Sequence, residues 1–274
     1  MALTELQRTV CRLIAAHRIA QGESYVAGGV ALNALIGANR VSKDIDLFHD
    51  TDEALAATWD ADRGLLVANG YDVEVLRERP TFVEAVVGKG GSTVLVQWVR
   101  DSAYRFFPLL RDEDLGLVLH PFDLATNKTL ALVGRMEVRD WVDLIACHDR
   151  IQPLGFLAWA ACGKDPGYSP ASILEQAARA RYSGAEVAEL SFAGPPPDAG
   201  ALGRAWHGML ADARDIVAAL PPERVGQCVL RPDGTLHAGE VGRLRSDLAT
   251  GAVLFHPGAI RGAFPRVRPG AGGG

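Results

Sequence analysis

Two aspartates and a pair of glycines are the first residues whose types and spacing suggest chemistry. Asp44 and Asp46 stand in Asp44-Ile45-Asp46-Leu47-Phe48, where polar and apolar residues alternate with the two-residue period of a half-buried strand. That period sends both carboxylates off one face, roughly 6.5 Å apart along the chain at about 3.3 Å per residue. Facing carboxylates repel, and one is driven toward its neutral form unless a cation intervenes. A hard divalent ion, Mg²⁺ or Mn²⁺, suits them. Upstream, Tyr25-Val26-Ala27 is a short apolar run broken by Gly28-Gly29, after which Val30 to Ile36 reads as the first turns of a helix. A strand, a tight glycine turn and a helix N-terminus offer unpaired N–H groups to phosphate oxygens.

Taken singly, a Gly-Gly pair is a turn and an Asp-x-Asp a solvated strand edge. Together with Arg40 and Ser42 just ahead of the acids they are more specific. Gly28-Gly29-x-Ala31-Leu32 followed by Arg40-x-Ser42-x-Asp44-Ile45-Asp46-Leu47-Phe48 resembles the nucleotidyltransferase signature of the DNA polymerase β-like superfamily, and in particular the AbiEii/AbiGii-type toxin nucleotidyltransferases. A second block, Lys128, Ala131-Leu132, Arg135 and Arg139-Asp140-x-x-Asp143, resembles the same family in the expected order. In isolation that block reads as ordinary helix-surface charge.

The resemblance, over about residues 20 to 150, implies an α/β (α+β) fold: a polymerase β-like core with a small mixed sheet and flanking helices, then a mostly helical C-terminal part. It implies that Asp44 and Asp46 bind the metal, that Gly28, Gly29, Arg40, Ser42 and Lys128 bind the nucleotide, and that Lys128 and Asp143 complete the catalytic set with the two aspartates. The implied reaction moves a nucleoside monophosphate from a nucleoside triphosphate to an acceptor hydroxyl, with RNA, a tRNA end, as the acceptor. The enzyme would be the toxin of a toxin-antitoxin system, with a cognate antitoxin as partner. A small-molecule, antibiotic-modifying transferase and a non-catalytic nucleotide-binding protein are the alternatives. The last is kept open by Gln97, which stands where the superfamily commonly carries a third metal-binding carboxylate; Glu84 and Asp101 are the candidates for the missing oxygen.

The elements that must position these residues follow from pattern. The chain has 274 residues, 48% of them hydrophobic, enough for one larger domain or two modest ones. A formal net charge of −5 gives no broad basic surface for duplex nucleic acid. Cys11, Cys147, Cys162 and Cys228 are scattered, which indicates neither a zinc ribbon nor a disulfide scaffold. Arg8, Arg12, His17 and Arg18 interrupt any signal-peptide core, and no run approaches the roughly twenty apolar residues that span a bilayer, so a cytoplasmic protein with no membrane partner is expected.

Residues 4 to 20 predict a helix capped by Thr4, and Thr51 to Asn69 another, closed by Gly70. Strands are expected at 71–77, 81–87 and 93–99, the last two joined by a hairpin turn at Gly88-Lys89-Gly90-Gly91-Ser92. Phe106-Phe107, bracketed by Arg100, Arg105 and Arg111, reads as two core rings or as a place to stack a base. Asp123 is a candidate cap for the helix that carries Lys128. Helices are expected near 171–182 and 199–220, and a hairpin turns at Pro232-Asp233-Gly234-Thr235. These patterns predict a nucleotidyltransferase domain over 1–150, a mostly helical accessory domain with a C-terminal hairpin over 151–256, and a disordered tail over 257–274.

Overall fold

The computed structural model describes residues 3–267. They form two compact units, one built from residues up to 103, 108–124 and 190–196, the other from 104–107, 125–189 and 197 onward. The single boundary expected at 150 is thus replaced by several crossings. Short excursions of chain carry no compositional mark, so pattern reading merges them into their neighbours.

In the first unit, Thr4 starts α1 (Glu5–Gln21) with a capping box: its hydroxyl accepts the Gln7 N–H at 3.2 Å, and the Gln7 side chain accepts the Thr4 N–H at 2.9 Å. There follow β1 (Ser24–Ala27), α2 (Gly28–Ile36), β2 (Asp44–His49), α3 (Asp52–Ala68), β3 (Asp72–Arg79), β4 (Phe82–Lys89) and β5 (Ser92–Arg100). After β6 (Tyr104–Arg105), which lies in the second unit, β7 (Leu110–Asp112) and β8 (Gly116–Val118) complete a seven-stranded mixed sheet. Its order is β3-β4-β5-β2-β1-β8-β7, with β2 parallel to β5 and β1 parallel to β8. The turn between β4 and β5 is the two-glycine Gly90-Gly91, both at positive φ, in a register that pairs Lys89 with Ser92.

Alternation decides the two faces of this sheet. Ile45, Leu47, Val83, Ala85, Val96 and Trp98 are buried, and Trp98 meets Trp59 of α3 edge-on with ring centroids 4.7 Å apart. The other face carries Asp44, Asp46 and Phe48 of β2, Gln97 of β5 and Glu84 of β4, all half-buried.

The second unit holds most of α4 (Pro121–Arg135), then α5 (Val138–Arg150), α6 (Leu154–Ala161), α7 (Pro170–Ala177), α8 (Gly184–Ala188) and α9 (Ala199–Ala219). Asp123 lies inside the first turn of α4 rather than at its cap, where a carboxylate still favours the positive end of the helix. Among the described residues three α-helices fall outside those expected from the sequence pattern, one of them the five-residue α8. Another, α6, is apolar all round and fully buried, so it has no amphipathic stripe to detect. The third, α10 (Val241–Ala249), is short and lacks a side-chain cap.

The hairpin turn expected at Pro232-Asp233-Gly234-Thr235 is present: the Thr235 carbonyl accepts the Arg231 N–H at 2.8 Å and Leu230 bridges Leu236 antiparallel, while the ladder partner of β9 (Gln227–Leu230) is the later β10 (Leu254–Pro257). Phe156, Trp159, Ile216, Leu220, Val229 and Leu244 make the core of this region. The expected disorder from 257 is corrected: β11 (Ala259–Ile260) pairs antiparallel with β6, and the Ala263 N–H donates to the Phe106 carbonyl at 3.1 Å. Residues 268–274 of that expected tail lie outside the described residues. Phe106 and Phe107 are core rings, and Arg105 between Tyr104 and Phe106 is itself buried.

Candidate active site

The site expected around the glycine pair is assembled by backbone register. In the antiparallel β1–β2 pair, Ala27 stands opposite Asp46, so the residue after Ala27 meets the Asp46 side chain. That residue is Gly28, with φ at +63°, and a Cβ there would overlap the Asp46 carboxylate. At Gly29 a Cβ would sit 2.5 Å from a terminal guanidinium nitrogen of Arg40 and 2.8 Å from Ser42 Oγ. The glycine pair is the space into which three of the expected site side chains pack. Both glycines belong to α2 itself, and its N-cap residue, Ala27, makes no side-chain cap bond.

The strand leading to Asp44 is braced from two directions. Buried Gln7 of α1 donates its amide to the Ser42 carbonyl at 2.7 Å. The excursion 190–196 runs beside the Arg40 segment: the Val41 N–H donates to the Ser191 carbonyl and the Ala193 N–H to the Asn39 carbonyl, each at 2.8 Å, with Arg40 bridged to Phe192. Arg40 and Ser42 are both buried as a result.

Register also answers the question raised by Gln97. It lies directly opposite Asp46 on β5 and opposite Glu84 on β4, and its amide donates to Glu84 Oε1 at 2.8 Å. Among the described residues no group of three or more His, Cys, Asp or Glu side chains could hold a metal ion. Asp44 and Asp46 remain as two carboxylates on one face of one strand. That fits a divalent ion of the magnesium type, which typically takes one or two carboxylates and completes its shell with phosphate oxygens and water.

The second block forms a buried ionic cluster in the second unit. Lys128 of α4 is 7% exposed, with its ammonium 2.9 Å from Asp140 Oδ1 and 3.1 Å from Asp143 Oδ2. Asp140 also accepts two bonds from Arg135, Nε to Oδ2 at 2.6 Å and a terminal nitrogen to Oδ1 at 2.9 Å. Burial alone would raise the Asp140 carboxyl, but the hydrogen bonds and charges of Arg135 and Lys128 outweigh it and hold the group below its ordinary value. The expected roles for Lys128 and Asp143 thus gain a member that pattern reading treated as surface charge. The signal was available, since Asp140 and Asp143 at i and i+3 share a helix face.

The strand-turn-helix with Asp44 and Asp46 on a mixed sheet defines a nucleotidyltransferase-type fold, and solved structures agree. JHP933 from Helicobacter pylori matches with TM-score 0.53 and 16% identity over 79% of this chain and 95% of its own. MenT4, a nucleotidyltransferase toxin from Mycobacterium tuberculosis H37Rv, matches with TM-score 0.50 and 18% identity over 78% of this chain and 87% of its own. No curated protein matches in sequence. The model of the family described as nucleotidyl transferase AbiEii toxin, of type IV toxin-antitoxin systems, matches residues 13–161. The chain belongs to that family, and it is a nucleotidyltransferase. Among the described residues no helix is long and apolar enough to cross a membrane.

Proposed function

We propose that this chain transfers a nucleoside monophosphate from a nucleoside triphosphate to a hydroxyl of RNA, a tRNA end, in a metal-dependent reaction, and that it serves as the toxin of a toxin-antitoxin pair. The observation that carries the reading is the Asp46 carboxylate seated against Gly28 at the start of α2. A triphosphate held by the N–H groups of that helix start brings its oxygens to the carboxylates of Asp44 and Asp46. Asp44 and Asp46 would hold Mg²⁺ or Mn²⁺, which when bound would offset the charge developing on the phosphate oxygens. Arg40 and Ser42 contribute to the nucleotide site.

The family resemblance implies Lys128 as a further nucleotide-binding cation, and within its own unit its ammonium is held by Asp140 and Asp143. The acceptor oxygen attacks the α-phosphorus and pyrophosphate leaves with the electrons of the broken bond; the hydroxyl proton passes to Asp143 or, if Asp143 serves only to orient Lys128, to water. A cognate antitoxin protein belongs to the same proposal, as does a cytoplasmic setting.

The test is incubation of the protein with each labelled triphosphate, alone and with total RNA, with and without magnesium. Label entering RNA only in the presence of metal, and lost in Asp44→Asn and Asp46→Asn, is the expected result. Full transfer by both variants would remove the carboxylates from the reaction, and transfer to a small acceptor but not to RNA would replace the substrate class.

A further inference from the structure

Phe264 is 80% exposed, the most exposed large apolar side chain among the described residues, and Ile260 at 69% and Val267 at 49% lie beside it in sequence. Single exposed apolar residues are ordinary, whereas three within eight residues make a surface that asks for an occupant. The backbone that presents them is held in place. Ala259 and Ile260 pair with Arg105 and Tyr104, the Gly262 N–H returns to the Ala259 carbonyl at 3.1 Å, and the Ala263 N–H reaches the Phe106 carbonyl. Val267 leans on the turn at Gly234, 3.0 Å from where a Cβ would stand. Pro265 restricts Phe264 to extended backbone.

Charge identifies the kind of occupant. Residues 248–274 contain no aspartate or glutamate and three arginines, Arg261, Arg266 and Arg268, so the rest of a chain of formal charge −5 carries −8. A polyanion repelled by most of this protein meets a positive strip here. The ring of Phe264 lies between Arg261 and Arg266 along the chain, and both arginines are exposed. Flat aromatic surface flanked by guanidinium groups is the chemistry that binds unpaired bases and their phosphates. Duplex offers no open base faces, and an anionic bilayer has no use for a single ring held in an extended strip. We infer that the segment Ile260–Val267 is a docking strip for single-stranded RNA, with Phe264 as its stacking surface and Arg261 and Arg266 as its phosphate contacts. The inference rests on the reading of RNA as acceptor.

The experiment titrates the full chain into a fluorescently labelled single-stranded oligoribonucleotide of about twelve residues, without triphosphate or metal, and follows anisotropy. Phe264→Ala is expected to weaken binding about tenfold, the scale of losing one stacked base. Phe264→Leu should be nearly as weak, since it keeps apolar bulk and loses the π face, while Phe264→Trp should bind at least as well as the native chain. The double variant Arg261→Gln with Arg266→Gln should lower the slope of log affinity against log salt by about 1.4, at roughly 0.7 per phosphate contact on a single strand. Melting temperatures should not move, because the ring is in solvent. Unchanged affinity in Phe264→Ala overturns the inference, and so does native affinity in Phe264→Leu. Equal dependence on Phe264 for anionic lipid vesicles also overturns it, in favour of a membrane surface. Because binding is read without turnover, the two proposals can fail separately: Phe264-dependent binding with no transfer to RNA sinks only the reaction, and transfer to RNA with Phe264-independent binding sinks only the strip.

Discussion

Asp44 and Asp46 sit half-buried on a strand whose neighbours leave room for them, whereas Asp140 and Asp143 are buried on a helix and paired with Lys128, with Arg135 bonding Asp140 as well. The first pair is positioned by backbone: a glycine without a Cβ and a strand register set the geometry. In the second cluster the charges themselves are the structure, because each buried ion is tolerable only while its partners stay. The two groups of acids are therefore expected to respond differently to removal of a charge.

The largest expected effect breaks that comparison most directly. Asp140→Ala leaves buried Lys128 with one partner fewer and Arg135 with none of its two bonds to that carboxylate, a loss of about 3–5 kcal/mol. Asp46→Asn in metal-free buffer should unfold at the same urea concentration as the native chain, or a higher one, because it relieves repulsion. Equal losses in the two variants would show that the strand acids too are structural.

Acid separates the units next. On β2, burial drives His49 down to about 4, against the Val99 carbonyl that pairs with its ring nitrogen. With a folded value below the unfolded 6.5, the unfolded chain binds the extra proton, so stability is complete above pH 6.5 and lost as pH falls toward about 4. The loss is on the order of 3 kcal/mol. Asp140 has the same sign at a lower pH, since its carboxyl is held below 3.8 and its contribution disappears only as that depressed value is passed. Half-buried His148 in the second unit, also lowered by burial, adds to the milder window. Denaturant titrations at pH 7 and pH 5 should show the fall, reduced in His49→Gln; an unchanged slope would remove His49 as its source.

Smaller still is Gly28→Ala. The left-handed backbone costs about 1–2 kcal/mol once a Cβ is present. That Cβ must also displace the Asp46 carboxylate, so transfer should fall much further than stability, by on the order of 10²-fold. Paired melting and pyrophosphate-release measurements test this, and parallel losses would reduce Gly28 to a folding residue. The smallest effect belongs to the C-terminal stretch: Phe264→Ala should change stability by less than about 0.5 kcal/mol, its ring being exposed. Deletion from 258 should cost measurably more, because it removes β11 and the bond from Ala263 to Phe106.

Much of the first region was legible in sequence because its determinants are local. The alternation of Asp44, Ile45, Asp46 and Leu47 and the cap at Thr4 each depend on residues a few positions apart, and the described structure has the corresponding elements; at Gly28-Gly29 the expected turn is corrected, since β1 passes directly into α2 there. The helices bearing Lys128 and Asp143 were visible for the same reason. Family membership too followed from short motifs, since residues 13–161 match the family model.

Tertiary structure alone decided whatever depends on residues far apart in the chain. Gly28 and Asp46 look independent until strand pairing puts one against the other, and nothing near Gln97 announces that it will bond Glu84 between two strands. Asp140 passes for surface charge until α4 and α5 bring Lys128 and Arg135 onto it. The stretch 190–196 carries no mark of pairing in its sequence, yet its backbone braces Val41, and the C-terminal stretch reads as disorder, yet it supplies a strand to Tyr104 and Arg105. Local propensity is written in neighbouring residues, but hydrogen bonds and buried charges are satisfied by whatever the fold brings within about 3 Å, a condition no window of sequence contains.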